Sequence, residues 1–369
     1  MKGQGGIAMK GRVWTKQLTG LLMGLMLFCG VSVASAAPLA SPPIRVGLMT
    51  QQFGILASSN GGFQVVNVDD GKILGEYTAG AKIRIGLREG KFAINNIVVN
   101  SDRMRIEPQK PKRLEREDRL LEINNRRYRG VVEIFRTQGA SGMTAVNILP
   151  LDEYVYGVLG LSLTPEWPEQ AVKAQAVVVR TFALYHTGKH KNEGFDLCDT
   201  SDCLLYEGQT QENSKIWQAV EATRGIVLLY QNYLAAAYLH LSSGGYTENS
   251  ESVFAKAYPY LRGVPDFDQT SPYFRWQKRI SPQELEGLLK GAGYNFGTLT
   301  AIEISRRTPA PMNVPDRGVS GRIRMITFIG KDGIAALTGE QTQKLLSLPS
   351  TLFDVTVAVP LSNIDSNIT

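Results

Sequence analysis

The chain is short of the residues from which redox centres and multi-histidine metal sites are made. Its 369 residues include three cysteines and three histidines, so a site of several imidazoles is hard to assemble from His186, His190 and His240. It lacks a Gly-x-Ser-x-Gly elbow, a phosphate-binding P-loop and a dinucleotide glycine fingerprint. That removes the sequence grounds for a serine hydrolase of that type or a nucleotide-dependent enzyme, and no organic cofactor is expected. No internal repeat or low-complexity tract occurs, and beyond residue 36 no apolar run approaches the roughly 20 residues that span a bilayer. What is present is ordinary for a folded protein: 43% hydrophobic residues, 20% charged residues and 37 glycines, the last implying many turns.

The first segment reads as an address. Lys2, Lys10, Arg12 and Lys16 precede the apolar run LTGLLMGLMLFCGVSVA, which ends in the small residues Ala34, Ser35 and Ala36. That is the order of a secretory signal, so residues 1–36 are expected to be one, with a membrane anchor as the alternative. The run is short and broken by glycine, which favours cleavage. Cys29 follows Phe28 rather than a small residue, so a lipoprotein signal fits poorly. Cleavage takes four positive charges and no negative ones, and the formal net charge of +6 falls to +2. So small an excess gives no ground for a nucleic-acid partner. The expected location is outside the cytoplasmic membrane, in the wall or at the membrane's outer face.

From residue 37 to 107 short alternating runs recur (IRVGLM, FQVVNV, AKIRIGL, KFAINNIVV) between glycine, asparagine and aspartate turns, and predict a β-rich region. Residues 108–127 open with the charged, proline-containing PQKPKRLEREDR and read as a linker. In the remainder, 128–369, strands are expected at RGVVEIFR, TAVNILPL, GIVLLY and YLAAAYLHL. A helix is expected at LDEYVYGVLGL, with Leu151, Tyr154, Val155, Val158 and Leu159 on one side. A second follows Pro168, with Ala171, Ala174, Val178, Phe182 and Tyr185 at helical spacing. Others are expected at 213–223 and 281–293, the last with Ser281 and Glu284 in capping positions. The C-terminal part reads as strands with one short helix near TGEQTQKLLSL. The fold class is α+β.

Three stretches can carry chemistry. The helix after Pro168 sets Lys173, Gln175, Arg180 and Thr181 among alanines and valines, either lining a groove or facing solvent. In HKNEGFDLCDTSDC, His190 lies eight residues before Cys198, and Cys203 five after it, with Asp199 and Asp202 between or beside them. Two thiolates, an imidazole and a carboxylate suit tetrahedral zinc. A Cys198–Cys203 disulfide suits the same spacing equally well in an exported chain, and free thiols are a third reading. In YLHLSSGGYTEN, a strand ending in paired serines and paired glycines exposes hydroxyls and N–H groups at a tight turn. Such a turn either holds sugar hydroxyls or is purely structural.

In their order and spacing these stretches resemble the stage II sporulation protein D family, also called the SpoIID/LytB domain. The resemblance runs through LPLDEYVYGVLG, PEWPEQAVKAQAVVVRTFAL, DLCDTSDCLLYEG, AVEATRGIVLLYQNYLAAAYLHLSSGGYTEN, YLRGVPDFD, SPYFRW and LTGEQTQKLL. It implies action on peptidoglycan glycan strands outside the membrane, as a lytic transglycosylase or a modifier of wall amidases. Other wall hydrolases or sporulation wall proteins are the implied partners. In the transglycosylase reaction a carboxylic acid protonates the leaving oxygen and the muramic 6-hydroxyl closes on the anomeric carbon. Lys173, Gln175, Arg180 and Thr181 match the family's K-A-Q-A-x-x-x-R-T run. His240, Ser242, Ser243, Gly244 and Gly245 match its H-S-x-S-G-G turn, with Leu241 in place of the first serine. The resemblance gives these residues, with Ser162, a substrate-binding role. Cys198 and Cys203 match the family's paired cysteines, which can hold zinc with histidines, and Asp202 stands where a histidine is common.

The departure lies at the corner GVLGLSLTPEWP, residues 157–168. The family pattern G-V-V-x-x-E-M-P-x-x-W-P carries the general acid. Aligned through Gly157, Trp167 and Pro168, that glutamate falls on Ser162, whose hydroxyl cannot serve as a general acid. The expectation is a protein that binds glycan with little or no cleavage. The alternative is an active lyase with Glu166 as a relocated acid.

Overall fold

The computed structural model describes residues 41–109, 120–254 and 256–356. The leader reading, and residues 110–119 of the expected linker, lie outside them. Twelve strands come first: β1 (Pro43–Gln52), β2 (Gly54–Ser59), β3 (Phe63–Asn67), β4 (Ile73–Tyr77), β5 (Lys82–Arg88), β6 (Lys91–Ile94), β7 (Ile97–Val98), β8 (Arg103–Pro108), β9 (Leu121–Ile123), β10 (Arg126–Tyr128), β11 (Val131–Arg136) and β12 (Met143–Pro150). Helices α1 (Leu151–Ser162) and α2 (Glu169–Tyr185) follow, then β13 (Leu197–Cys198), α3 (Ser214–Ala222), β14 (Leu229–Tyr230) and β15 (Tyr233–Leu234). The chain continues through α4 (Glu251–Phe254), α5 (Pro282–Gly291), β16 (Leu299–Glu303), β17 (Met325–Gly330), β18 (Ile334–Thr338) and α6 (Gly339–Leu345). The α+β expectation is met. Among the described residues no helix is long and apolar enough to cross a membrane.

The first core is built from two sheets and three helices. One sheet runs β13-β1-β12-β11-β8-β3-β4 and the other β10-β9-β2-β5-β6-β7. Strand β5 shows the predicted alternation, with Ile83 and Ile85 buried and Arg84 exposed. Strand β12 is instead buried along nearly its whole length, because β1 and β11 flank it and α1 follows it directly. Its one buried amide is satisfied. Asn147 donates to the carbonyls of Arg129 (2.8 Å) and Val131 (3.1 Å) and accepts from Tyr206 (2.8 Å). The end of the stretch read as a linker is also strand. Leu121 and Ile123 are fully buried in β9, and β9 and β10 meet at Asn124–Asn125, both with positive φ.

Helix α1 has the expected buried side and more: Tyr156, Gly157 and Gly160 are buried as well. Helix α2 differs. Its buried residues are Val172, Ala176, Val179, Arg180, Thr181, Phe182 and Ala183, so the face is rotated from the Ala171–Ala174–Val178 stripe. The reason is an ion pair. Asp152 on α1 draws Arg180 inward, and α2 turns its Val172–Ala176–Val179 side into the core with it. Helix α3 starts as expected, with Asn213 accepting from the Ile216 amide at 3.1 Å. The two long strands expected after it reduce to the short pair β14–β15 around Gln231–Asn232. Ala235, Ala236 and Ala237 are buried without belonging to a strand: the Ala236 amide bonds the Tyr260 hydroxyl at 2.8 Å instead of a ladder.

A second core gathers Leu285 and Leu289 of α5, Ile326 and Phe328 of β17, and Ala335 and Leu337 of β18. It matches the expected strands with a short helix. Ser281 caps α5, and Thr338 with Gln341 forms a reciprocal capping box at α6.

Candidate functional site

At the corner after α1, the Ser162 hydroxyl donates to the Val158 carbonyl at 2.9 Å, closing on its own helix. Leu163 ends the helix by donating its amide to Leu159 at 2.9 Å. Lys215, from the first turn of α3, clamps the rest of the corner through the carbonyls of Pro165 and Trp167 (3.1 Å to the latter). Glu166 is exposed, and its carboxyl is held below the usual carboxylate range, first by the Thr164 hydroxyl, then by its own amide and by Lys215. A general acid must keep its proton near neutral pH, which takes burial or a neighbouring negative charge. Glu166 has neither. The structure gives Glu166 a lowered carboxyl where the reading of a relocated acid requires a raised one.

The polar set on α2 divides. Lys173 pairs with Glu169 at 2.5 Å across one helical turn, and Gln175 is half-buried. Arg180, expected to bind substrate, is 2% exposed. It meets Asp152 at 2.8–2.9 Å and donates to the Ile226 (3.2 Å) and Val220 (3.3 Å) carbonyls. Its guanidinium is consumed in tying α1, α2 and α3 together, which corrects the expectation that it lines a groove.

The cysteine loop is brought together as the spacing suggested. Cys198 sits on β13, which pairs in parallel with β1 through Val46–Leu197 and Gly47–Cys198. Gly47 is needed there: a Cβ would lie 2.6 Å from the Phe195 ring, which stacks on His190 at 5.2 Å. The two sulfurs are 2.9 Å apart as free thiols, and His190 Nε2 lies 3.5 Å from Cys203 Sγ and 3.3 Å from Asp202 Oδ2. One donor atom from each of His190, Cys198, Asp202 and Cys203 falls within 4.8 Å of every other. His190 Nδ1 lies 2.6 Å from Glu193, which fixes the ring with Nε2 toward the sulfurs. Burial pushes the Cys203 thiol up. Two sulfurs, a nitrogen and a carboxylate oxygen are a donor set that zinc takes. The 2.9 Å between the sulfurs is shorter than the roughly 3.7 Å edge of a tetrahedral site with Zn–S bonds of about 2.3 Å, and a disulfide suits the pair as well.

The serine-glycine turn is occupied from within. Asp268 accepts from the Ser242 hydroxyl and from the amides of Gly244 (3.0 Å) and Gly245 (2.8 Å). Burial would raise the Asp268 carboxyl, but these donors and the Ser243 amide outweigh it and hold it at about 2. Both glycines have positive φ, which lets their N–H groups converge on one carboxylate. From the other side Arg322 donates to the Ser243 carbonyl at 2.9 Å. Glu248 accepts the Ser320 amide (3.2 Å) and hydroxyl (2.6 Å). His240 is exposed. Sequence reading missed Asp268, Arg322 and Glu248. The acid ending PDFD was the available signal, but nothing local ties it to a turn 23 residues earlier.

A cleft of about 2750 Å³ opens beside this turn, lined by His240, Ser242, Ser243 and Gly244 with Tyr238, Phe254, Tyr260, Trp276 and Arg322 among others. Ser162, Glu166, Lys173, Gln175 and Arg180 are not among its described lining residues. The described lining of the cleft thus includes the turn and not the corner or the polar set of α2.

Comparison with known proteins agrees with this layout. Residues 139–230 match the family model described as stage II sporulation protein (SpoIID), and residues 239–365 match a domain of unknown function, DUF8618. An uncharacterized protein of Brachyspira hyodysenteriae is 36% identical over 44% of this chain and 45% of its own length. A stage II sporulation protein D of Bacillus amyloliquefaciens is 31% identical over 48% of this chain and 55% of its own. The amidase enhancer of Bacillus subtilis is 30% identical over 56% of this chain and 28% of its own. The chain thus spans about half the length, or less, of these relatives. The cysteine loop and both helices of the corner lie inside the matched segment, so over residues 139–230 the chain is similar to the SpoIID family.

Proposed function

We propose that this chain is an exported cell-wall protein that binds peptidoglycan glycan strands and does not cut them efficiently. The observation that carries the reading is the corner. The position where related chains place a general acid holds Ser162, whose hydroxyl is spent on Val158, and the neighbouring Glu166 is exposed and favours its ionised form. Glu251, on the cleft, fares no better as a proton donor: it is held at about 2, first by Arg262. Binding needs only donors and acceptors that match sugar hydroxyls, and the cleft supplies them beside aromatic rings. Zinc at His190, Cys198, Asp202 and Cys203 would pin the loop to β1 and act structurally.

Incubation of the purified protein with peptidoglycan, followed by mass spectrometry, tests this. Retention on the wall polymer without 1,6-anhydromuramic products is expected, and Ser162→Glu should gain such products. Anhydro products from the unmodified protein that vanish in Glu166→Gln would overturn it. The relative named amidase enhancer favours a second reading, in which the bound protein modifies a wall amidase. That reading expects a faster amidase digest of peptidoglycan when the protein is added.

A further inference from the structure

Four aromatic rings run from the end of α2 into the cleft. Phe182 meets His186 at 4.1 Å between centroids, His186 meets Tyr238 edge-on at 5.7 Å, and Tyr238 stacks on Phe254 at 4.0 Å and 20°. The ladder begins in the core, where Phe182 is 5% exposed, and ends in solvent, where Phe254 is 43% exposed on the cleft wall. Tyr238 covers one face of the Phe254 ring, so the exposed area belongs to the other face and the edge. Phe254 closes the four-residue helix α4, and among the described residues it belongs to neither core. An aromatic ring held by stacking on one face, with its other face open to a cleft, is placed to meet a flat apolar partner.

The same short helix carries a polar partner. Glu251 receives Arg262 through both guanidinium nitrogens, at 2.8 and 2.5 Å, and Arg324 donates to the Ser252 hydroxyl at 2.8 Å. All four residues line the cleft. A carboxylate has about four acceptor positions, so Glu251 keeps lone pairs for further hydroxyl donors while Arg262 holds it in place. A flat apolar face beside a fixed carboxylate–guanidinium pair matches a sugar ring. The weakly positive axial C–H hydrogens of a pyranose meet the negative face of the aromatic ring, and its equatorial hydroxyls reach sideways to the ion pair.

We propose that Phe254, backed by Tyr238, is a sugar-stacking subsite that, with Glu251 and Arg262, selects gluco-configured pyranose rings. In that configuration every substituent is equatorial and the ring face is uniformly C–H. The galacto configuration turns one hydroxyl axial, onto the aromatic face, where it finds no partner. The inference rests on the glycan-binding reading above and adds to it the residues that choose the sugar.

The test uses the whole exported chain and two probes: insoluble peptidoglycan, and the soluble β-1,4-linked tetramer of N-acetylglucosamine, with a galacto-configured tetramer as control. Titration should show binding of the gluco tetramer, weakened about tenfold or more by Phe254→Ala and largely restored in Phe254→Trp. In proton spectra of the unmodified protein, axial ring protons of the bound sugar should shift upfield, a signature that does not depend on any variant folding. Tetramer binding left unchanged by Phe254→Ala, equal binding of the galacto tetramer, or no upfield shift overturns the subsite while leaving the wall-binding reading intact. No retention of the unmodified protein on peptidoglycan overturns both.

Discussion

Arg180 and Asp152 form an ion pair inside the helical core, 2.8 Å apart with side chains 3% and 7% exposed. Neither charge has water to fall back on, so the pair is worth more as a pair than either member alone. Removing one partner leaves the other buried without its main counter-charge, which costs up to about 3–5 kcal/mol, less at Asp152 to the extent that Arg224, 4.0 Å away, compensates. Arg180→Ala and Asp152→Ala should each lower the unfolding free energy by up to that amount, read as the fall in urea midpoint multiplied by the m-value. The double substitution should lose much less than the sum, since no orphan charge remains. Equal and additive losses in a double-mutant cycle would show that the two do not act together.

Gly157 and Gly160 lie one turn apart on α1, facing the backbone of residues 208–212. A Cβ at Gly157 would stand 2.7 Å from the Gly208 carbonyl oxygen, and one at Gly160 would overlap that of Thr210. The obstructing segment cannot retreat, because Gln209 is tied to the Arg127 carbonyl at 2.6 Å. Alanine gains up to about 1 kcal/mol of helix propensity over glycine, but overpacking against fixed backbone costs about 1–3 kcal/mol. The clash should win. Gly157→Ala is expected to lower the thermal midpoint, whereas the same change at exposed Gly287 of α5, where nothing lies within 4 Å, should raise it.

These two cases mark what was legible in the sequence. Alternation in KIRIGLR, the buried stripe of α1, the extent of α3 and the cap of α5 are local patterns, and the structure keeps them. The phase of α2 was not legible, because a charged residue, Arg180, is buried by a partner 28 positions away. The long strands expected around Tyr233 also failed. Of these runs only Ala235–Ala237 are buried, with the Ala236 amide on the Tyr260 hydroxyl, while Ile226, Leu228, Leu229 and Tyr233 are exposed, and composition alone does not distinguish such a segment from a buried strand. At the candidate site, the cysteine loop is a local motif and was readable from spacing. The Asp268 carboxylate in the serine-glycine turn depends on a chain return that no periodicity encodes.

The Asp268 contact makes stability depend on acid. Its folded-state pKa of about 2 lies below the ordinary carboxylate value, so the folded state prefers the ionised form. Stability from this group is therefore complete above about pH 4 and is lost as pH falls toward 2. Asp268→Asn should lower the urea midpoint at pH 7 and flatten its decline between about pH 4 and 2 relative to the unmodified chain. Other depressed carboxylates, Glu251 among them, titrate in the same window. The informative quantity is the difference between the two pH profiles. Parallel profiles would mean that Asp268 does not sense its turn.

The cysteine loop yields the last prediction. Asp202 is the weakest donor of the four, because its side chain is 62% exposed and shares its carboxylate with Lys189 at 2.9 Å. A zinc ion there would be held mainly by His190 and the two sulfurs, and would exchange more readily than one with four tight ligands. Metal analysis of the purified protein should give one zinc per chain, and a chelator should remove it with a fall in thermal midpoint. Asp202→His replaces an exposed, shared carboxylate with an imidazole and should slow zinc loss to the chelator. Cys203→Ser should abolish retention, since it removes the buried sulfur around which the other three donors lie. If no zinc is found and the intact mass is two hydrogens below that of the dithiol, the pair is a disulfide. Asp202→His would then leave both the two-hydrogen deficit and the thermal midpoint where they were.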